Sequence, residues 1–231
     1  MRCCKAFWHR SKRKKALGFQ AEKRVVREYY EALDNAELEG ITAVLKQYTV
    51  ADYTWRAFHP FHLQTSAEVV SKLFWQPFRN AVRHIQRRLD VFFAGDNFID
   101  DSGSVWVCSM GHLMGLFDAP WLGIQPTGKM IMLRYAEFHK IVDGKIAETA
   151  FYFDIPHFMI QAGYAPFPGQ AGAHMVQPGP VAHDALLFED ADPVEGQKTM
   201  DVMHKMISDL GQWNSGLPLE EELALSWHDD M

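Results

Sequence analysis

Apolar positions along this chain change period once, from about 3.6 residues to two. That change splits the folded part into a helical first half and an extended second half. From about Ala21 to Leu33 the positions Val25, Val26, Tyr29, Tyr30 and Leu33 recur at helical spacing. Asp34-Asn35 ends that run, and Leu38, Ile41, Val44, Leu45 and Tyr48 mark a second helix. Thr49 to His62 is aromatic and contains Pro60, which predicts a short strand or loop. Ser66 is placed to cap a helix through Val69, Val70, Leu73 and Phe74. Pro77 interrupts it, and Phe78, Val82 and Ile85 carry the apolar face on to about His84.

Beyond that point the pattern is extended. Arg87 to Ala94 and Phe98 to Ile99 flank the turn Gly95-Asp96-Asn97. Ser104 to Phe117 reads as a long strand whose two glycines predict a bulge or bend. Lys129 to Val142 reads as another, joined through the hairpin signal Asp143-Gly144 to a strand that ends at Asp154. Helices followed by a meander predict an α+β fold, with the helices packed on one face of a curved antiparallel sheet.

After Gly163 the periodicity stops. Residues 165–195 are expected to form a Pro/Gly-rich linker or covering loop, with Pro166, Pro168, Pro178 and Pro180 among Gly169, Gly172 and Gly179. Helical spacing returns in 196–231, where Val202, Met203, Met206, Ile207 and Leu210 precede a second short helix, about Leu219 to Trp227. DVMHKMISDLGQWNSGLPLEEELALSWHDDM has the plan of RVVREYYEALDNAELEGITAVLKQYTVADY: a helix, a polar turn, a second helix, then an aromatic and an acid. The expectation is the helical start of a truncated second repeat. An ordinary helical pair packed on the first domain is the alternative.

Charge sharpens the division. Net charge is -6, yet residues 1–15 carry 7 Lys/Arg and no acid, while 184–231 carry 12 acids against 2 bases. Residues 1–20 are therefore expected to be a basic disordered tail, without a nucleic-acid role, and 21–164 the folded domain. No apolar run is long enough to span a membrane. The basic start lacks a following apolar stretch, so no secretory signal is read. Three cysteines, Cys3, Cys4 and Cys108, cannot build a disulfide framework and favour a reducing, cytoplasmic setting.

Candidate chemistry sits near the hairpin. Alternation puts Tyr135, Glu137 and His139 on one face of their strand, so either Glu137 or His139 could supply an acid. In the next strand Glu148, Ala150, Tyr152 and Asp154 point one way and Ala147, Thr149, Phe151 and Phe153 the other. Asp154 then either sits at a pocket mouth with raised basicity or caps the segment from Pro156 to Gly163. Trp55, Trp75 and Trp121 are candidate walls of a cavity for a flat apolar ligand, with Tyr135 and Tyr152 beside them. His59 and His62 lack a credible third ligand, so no metal site is read. Cys108 has no patterned base and reads as a buried small hydrophobe.

Three motifs carry a resemblance. GHLMGLFDAPWLGIQPTGK looks like the strand-loop signature of the SnoaL-like polyketide cyclases, EFHKIVDGKIAETAFYFD like their hairpin, and MIQAGY like the helix that follows. VVREYYEALDNAELEGI resembles that family's first two helices, so the resemblance spans about residues 22–164. It implies the nuclear-transport-factor-2-like fold: a curved sheet and N-terminal helices forming a cone around an apolar pocket. It implies that Asp154 is a base removing a proton between two carbonyl groups, with His112, Glu137 or His139 as acid or orienting group. It also implies no cofactor, an apolar polyketide-like ligand, and a homodimer or pairing with a second repeat. The chain departs from the family where Glu137 replaces a usual histidine, Thr149-Ala150 replaces a His-Trp pair and Lys140 replaces an arginine. The expected function is a cofactor-independent cyclase or isomerase. The alternative is a non-catalytic small-molecule-binding or dimerisation module on the same scaffold.

Overall fold

A computed structural model describes residues 18–97, 103–168, 180–211 and 216–224. The expected basic tail lies almost wholly outside the described residues, as do the expected extended pair Phe98 and Ile99, the central part of the Pro/Gly-rich segment and the end of the last helix. The chain divides into a unit formed by Phe19–Glu189 and a second formed by Met1–Gly18 with Asp190–Met231.

In the first unit, α1 (Gln20–Asn35) buries Val26, Tyr29, Tyr30 and Leu33 along one stripe, as its spacing predicts. A 3₁₀ turn (Leu38–Gly40) leads into α2 (Ile41–Tyr48) and then β1 (Thr49–Arg56) and β2 (Leu63–Thr65). The Ser66 hydroxyl accepts from the Val69 amide and starts α3 (Ala67–Val70). That helix widens into a π-helical turn (Ser71–Trp75) before α4 (Gln76–Ala81), so Phe74, Trp75 and Phe78 all turn inward. Sequence periodicity extends this helix to about His84, but the strand begins at Val82. Sheet register claims those residues, pairing Val82 with Phe117 and Arg83 with Leu116.

Four long strands follow: β3 (Val82–Asp96), β4 (Val105–Phe117), β5 (Met130–Val142) and β6 (Lys145–Phe153). Asp143 and Gly144, both at positive φ (47° and 74°), make the tight turn between the last two. The sheet order is β2-β1-β6-β5-β4-β3. It is a mixed sheet rather than a purely antiparallel one, because β1 lies parallel to β6, with Trp55 opposite Thr149. Parallel pairing joins residues far apart in sequence, and no local pattern announces it. The expected bends are present at both strand glycines. A Cβ on Gly111 would stand 2.0 Å from the Arg88 carbonyl oxygen and one on Gly115 2.6 Å from that of Arg83, where β3 also shifts register.

Helices and sheet close over an aromatic interior. Phe74 is fully buried, with ring centroids of Phe153, Trp75, Phe61 and Trp55 at 4.9, 5.0, 5.3 and 5.6 Å. After β6, α5 (Ile155–Gln161) covers the end of the sheet. Ala185 to Phe188 run along the free edge of β3: the Phe92 amide donates to the Ala185 carbonyl and the Leu187 amide to that of Phe92. The second unit contains α6 (Pro193–Leu210), capped by Asp192, and α7 (Leu219–Leu223). In α6 the side chains of Val202, Met203, Ile207 and Leu210 are exposed. No helix among the described residues is long and apolar enough to cross a membrane.

Candidate active site

Alternation along β5 puts Tyr135, Glu137 and His139 on the inner face, all buried. Strand pairing then brings Ser109 opposite Glu137 and Thr149 opposite His139, and α1 lays Tyr30 across them. The Tyr30 hydroxyl donates to Glu137 Oε2 at 3.0 Å and also lies 3.0 Å from His139 Nε2. With that proton committed to Glu137, Nε2 must be the donor to Tyr30. His139 Nδ1 lies 2.9 Å from the Thr149 hydroxyl. Thr149, His139, Tyr30 and Glu137 thus form one chain of hydrogen bonds beneath α1.

Arg87 completes the group from β3. Its Nε and Nη2 bond the two oxygens of Asp34 at 3.1 and 3.3 Å, its guanidinium lies 4.0 Å over the Tyr30 ring, and Nη1 is 3.6 Å from Glu137 Oε2. Burial pushes the Glu137 carboxyl up, but His139, Arg87 and the Tyr30 hydroxyl outweigh it and leave the group below its ordinary value, hence ionised. Burial, with the Glu137 charge added, drives Tyr30 well up, so that hydroxyl keeps its proton. Burial opposes charge on Arg87 too, and Tyr135, Asp34, Tyr30 and Glu137 more than restore it.

A groove of about 650 Å³ opens between α1 and β3, with Tyr30, Asp34 and Arg87 among its lining residues and Lys23, Arg24 and Arg27 beside them. Its walls are largely charged. Apolar side chains gather in the interior. Trp55, Trp75 and Trp121 are buried there against Phe61, Phe74 and Phe151, and none of them lines this groove. Tyr135 does reach the polar group, through Ser109 at 3.1 Å. Tyr152 is half exposed on the opposite face of the sheet, stacked on Phe58 at 6.3 Å.

Asp154 and His112 are also on that outer side. Asp154 Oδ1 accepts from the His157 amide at the start of α5, and Oδ2 accepts from Arg134 at 2.9 Å. Partial burial raises its carboxyl, but Arg134 and the His157 amide prevail and hold it below its ordinary value. That is the contact of the cap role. Asp154→Ala is expected to destabilise the fold by about 1 kcal/mol, the usual loss for an N-cap, measured by urea unfolding. A loss below about 0.3 kcal/mol would show that the cap is not formed in solution. His112 Nδ1 lies 2.8 Å from Asp90 Oδ2, both side chains being buried, so this histidine belongs to a pair remote from Glu137.

Solved structures are similar to this chain in fold. The chain is similar to an NTF2-like protein from Burkholderia thailandensis, at 18% identity over 62% of this chain and 97% of that one, with a TM-score of 0.44. It is similar to a candidate SnoaL-like polyketide cyclase from Jannaschia, at 15% identity over 64% and 98%, with a TM-score of 0.47. It is similar to AclR, a candidate hydroxylase from Streptomyces galilaeus, at 20% identity over 65% and 87%, with a TM-score of 0.51. No family model and no curated protein matches the chain. At such identities the likeness is one of fold alone, and activity has to be argued from the residues that the fold holds.

Tyr30, Arg87, Asp34 and Thr149 are the site residues that sequence reasoning missed. Tyr30 is legible only as part of a helical stripe. Arg87 stands in a run with Arg83, His84 and Arg88, with nothing local to mark it as the buried one.

Proposed function

We propose that this chain is a SnoaL-like, cofactor-independent cyclase or isomerase of an apolar carbonyl compound, with Glu137 rather than Asp154 as its base. The observation that carries this reading is the buried, ionised Glu137 in hydrogen-bond contact with Tyr30 and within 3.6 Å of His139, on the inner face of the NTF2-like sheet. A carboxylate there removes a proton from carbon next to a carbonyl, and Tyr30 and His139 can return it to a different atom. In a cyclisation the enolate carbon attacks a second carbonyl. One carbon–carbon bond forms, the carbonyl π bond opens, and the alkoxide takes the proton. The closed network keeps Glu137 weakly basic. A substrate oxygen that draws Arg87 or Tyr30 away from it removes part of that stabilisation and raises its basicity where the proton is taken.

Exchange of the activated methylene protons of an aryl 1,3-diketone in deuterated buffer, followed by NMR, tests the reading. The protein is expected to accelerate exchange, and Glu137→Gln to slow the catalysed rate by about 100-fold or more, the usual range for losing a general base. Asp154→Ala is expected to retain it. Exchange in Glu137→Gln as fast as in the unaltered protein would sink the proposal.

One observation favours the binding-module alternative. The indole N–H groups of Trp55 and Trp121 are buried without a hydrogen-bond partner among the described residues, as donors awaiting a polar ligand atom would be. Ligand binding that survives Glu137→Gln, with no exchange in the unaltered protein, would decide for it.

A further inference from the structure

Arg87 is held unlike any other cation among the described residues. Its side chain is 4% exposed, Asp34 grips two of its three nitrogens, and the Tyr30 ring centroid lies 4.0 Å from the guanidinium. The third nitrogen, Nη1, is buried and makes no hydrogen bond among the described residues. The carboxylate oxygen facing it, Glu137 Oε2, is 3.6 Å away, beyond hydrogen-bond range. A buried donor left unmade costs about 1–3 kcal/mol, more for a charged group, so an arrangement that keeps one calls for a partner. Arg87 also lines the groove beside α1; Nη1 itself is buried and faces Glu137.

From this geometry we infer that Arg87 Nη1 is an oxyanion donor: it binds the carbonyl oxygen of the substrate and holds the negative charge when Glu137 takes the neighbouring proton. This rests on the proton-transfer reading above and assigns a second catalytic residue to it. The balance is simple. The carbon–hydrogen bond breaks, its proton goes to a Glu137 oxygen, its electron pair becomes the carbon–carbon double bond, and the carbonyl π pair moves onto the oxygen facing Nη1. Base and donor stand side by side, as a carbonyl and its adjacent C–H require. Asp34 fixes the guanidinium plane, so little reorganisation accompanies the charge shift. Asp34 is a positioning residue. The ligand class follows: an enolisable ketone or ester, or a stable oxyanion of similar shape such as a phenolate.

Substituted nitrophenols make the test, because the absorption of the phenolate reports which form is bound. The protein is expected to bind the phenolate in preference to the phenol. Arg87→Gln is expected to weaken phenolate binding by about 100-fold, the loss usual for one oxyanion donor. Glu137→Gln, which loses deuterium exchange, is expected to bind the phenolate at least as tightly, since a nearby negative charge is gone. That contrast separates the two readings. Arg87-dependent phenolate binding without exchange would leave the oxyanion site standing and remove the base. Glu137-dependent exchange with phenolate binding indifferent to Arg87 would overturn the oxyanion role, as would no preference for the phenolate in the unaltered protein. Should Arg87→Gln fail to fold, Asp34→Asn, which loosens the fork, is expected to weaken phenolate binding about 10-fold. Unchanged affinity there would also overturn it.

Discussion

Phe74→Ala is expected to lower the unfolding free energy by about 3–5 kcal/mol, the range for removing a buried aromatic. The ring is fully buried, and its neighbours come from separate elements: Trp75 and Phe78 from the helical segment, Phe151 and Phe153 from β6, Trp55 from β1. Each neighbour is fixed by its own backbone, so the space left cannot close by a single local shift. Urea unfolding should show a lower midpoint at an unchanged slope, and heating a midpoint lower by on the order of 10 °C. A loss below about 1.5 kcal/mol would mean that the aromatic interior collapses readily and is no rigid floor for the site.

Gly111→Ala has a different cause and reaches the site. The new methyl would stand 2.0 Å from the Arg88 carbonyl oxygen and 3.0 Å from its carbon, both backbone atoms. No rotamer change relieves that contact, so β3 itself has to move away from β4 at the residue next to Arg87. The expected loss is roughly 3 kcal/mol, the upper part of the range for overpacking. Deuterium exchange should fall with it, because the guanidinium leaves its place between Asp34 and Glu137. Gly95→Ala, in β3, is the control: its methyl meets nothing within 4 Å, and unfolding should change by less than about 0.5 kcal/mol. Equal stability of the two variants would show that β3 and β4 do not approach this closely in solution.

Period and turn chemistry make most elements of this chain legible in its residues alone. The Asp143-Gly144 hairpin, the Ser66 cap and the bends at Gly111 and Gly115 are all local decisions, written in a few residues each. Glu137, His139 and Tyr135 can be placed on one face for the same reason. Alternation does not say which face turns inward, and so whether those residues or Asp154 and Tyr152 meet the helices. Asp154 illustrates the competition: a carboxylate just before Pro156 satisfies a helix terminus locally, and that short-range gain outweighs a place in the interior. Tyr30, Arg87 and Thr149 come from three further elements and converge only when the sheet curves. Their partnership is tertiary, and residue spacing holds no trace of it.

The parallel junction of β1 with β6 has a kinetic meaning. β3, β4, β5 and β6 pair with their neighbours in sequence, so the meander is built by closing short loops. Setting Trp55 beside Thr149 instead closes a loop that holds most of the domain, and the entropy of that closure is the largest of any strand pairing here. Thr149 is also the residue that holds the imidazole of His139. His139 is therefore anchored at the seam of greatest sequence separation, which ties a fully formed site to the completion of folding.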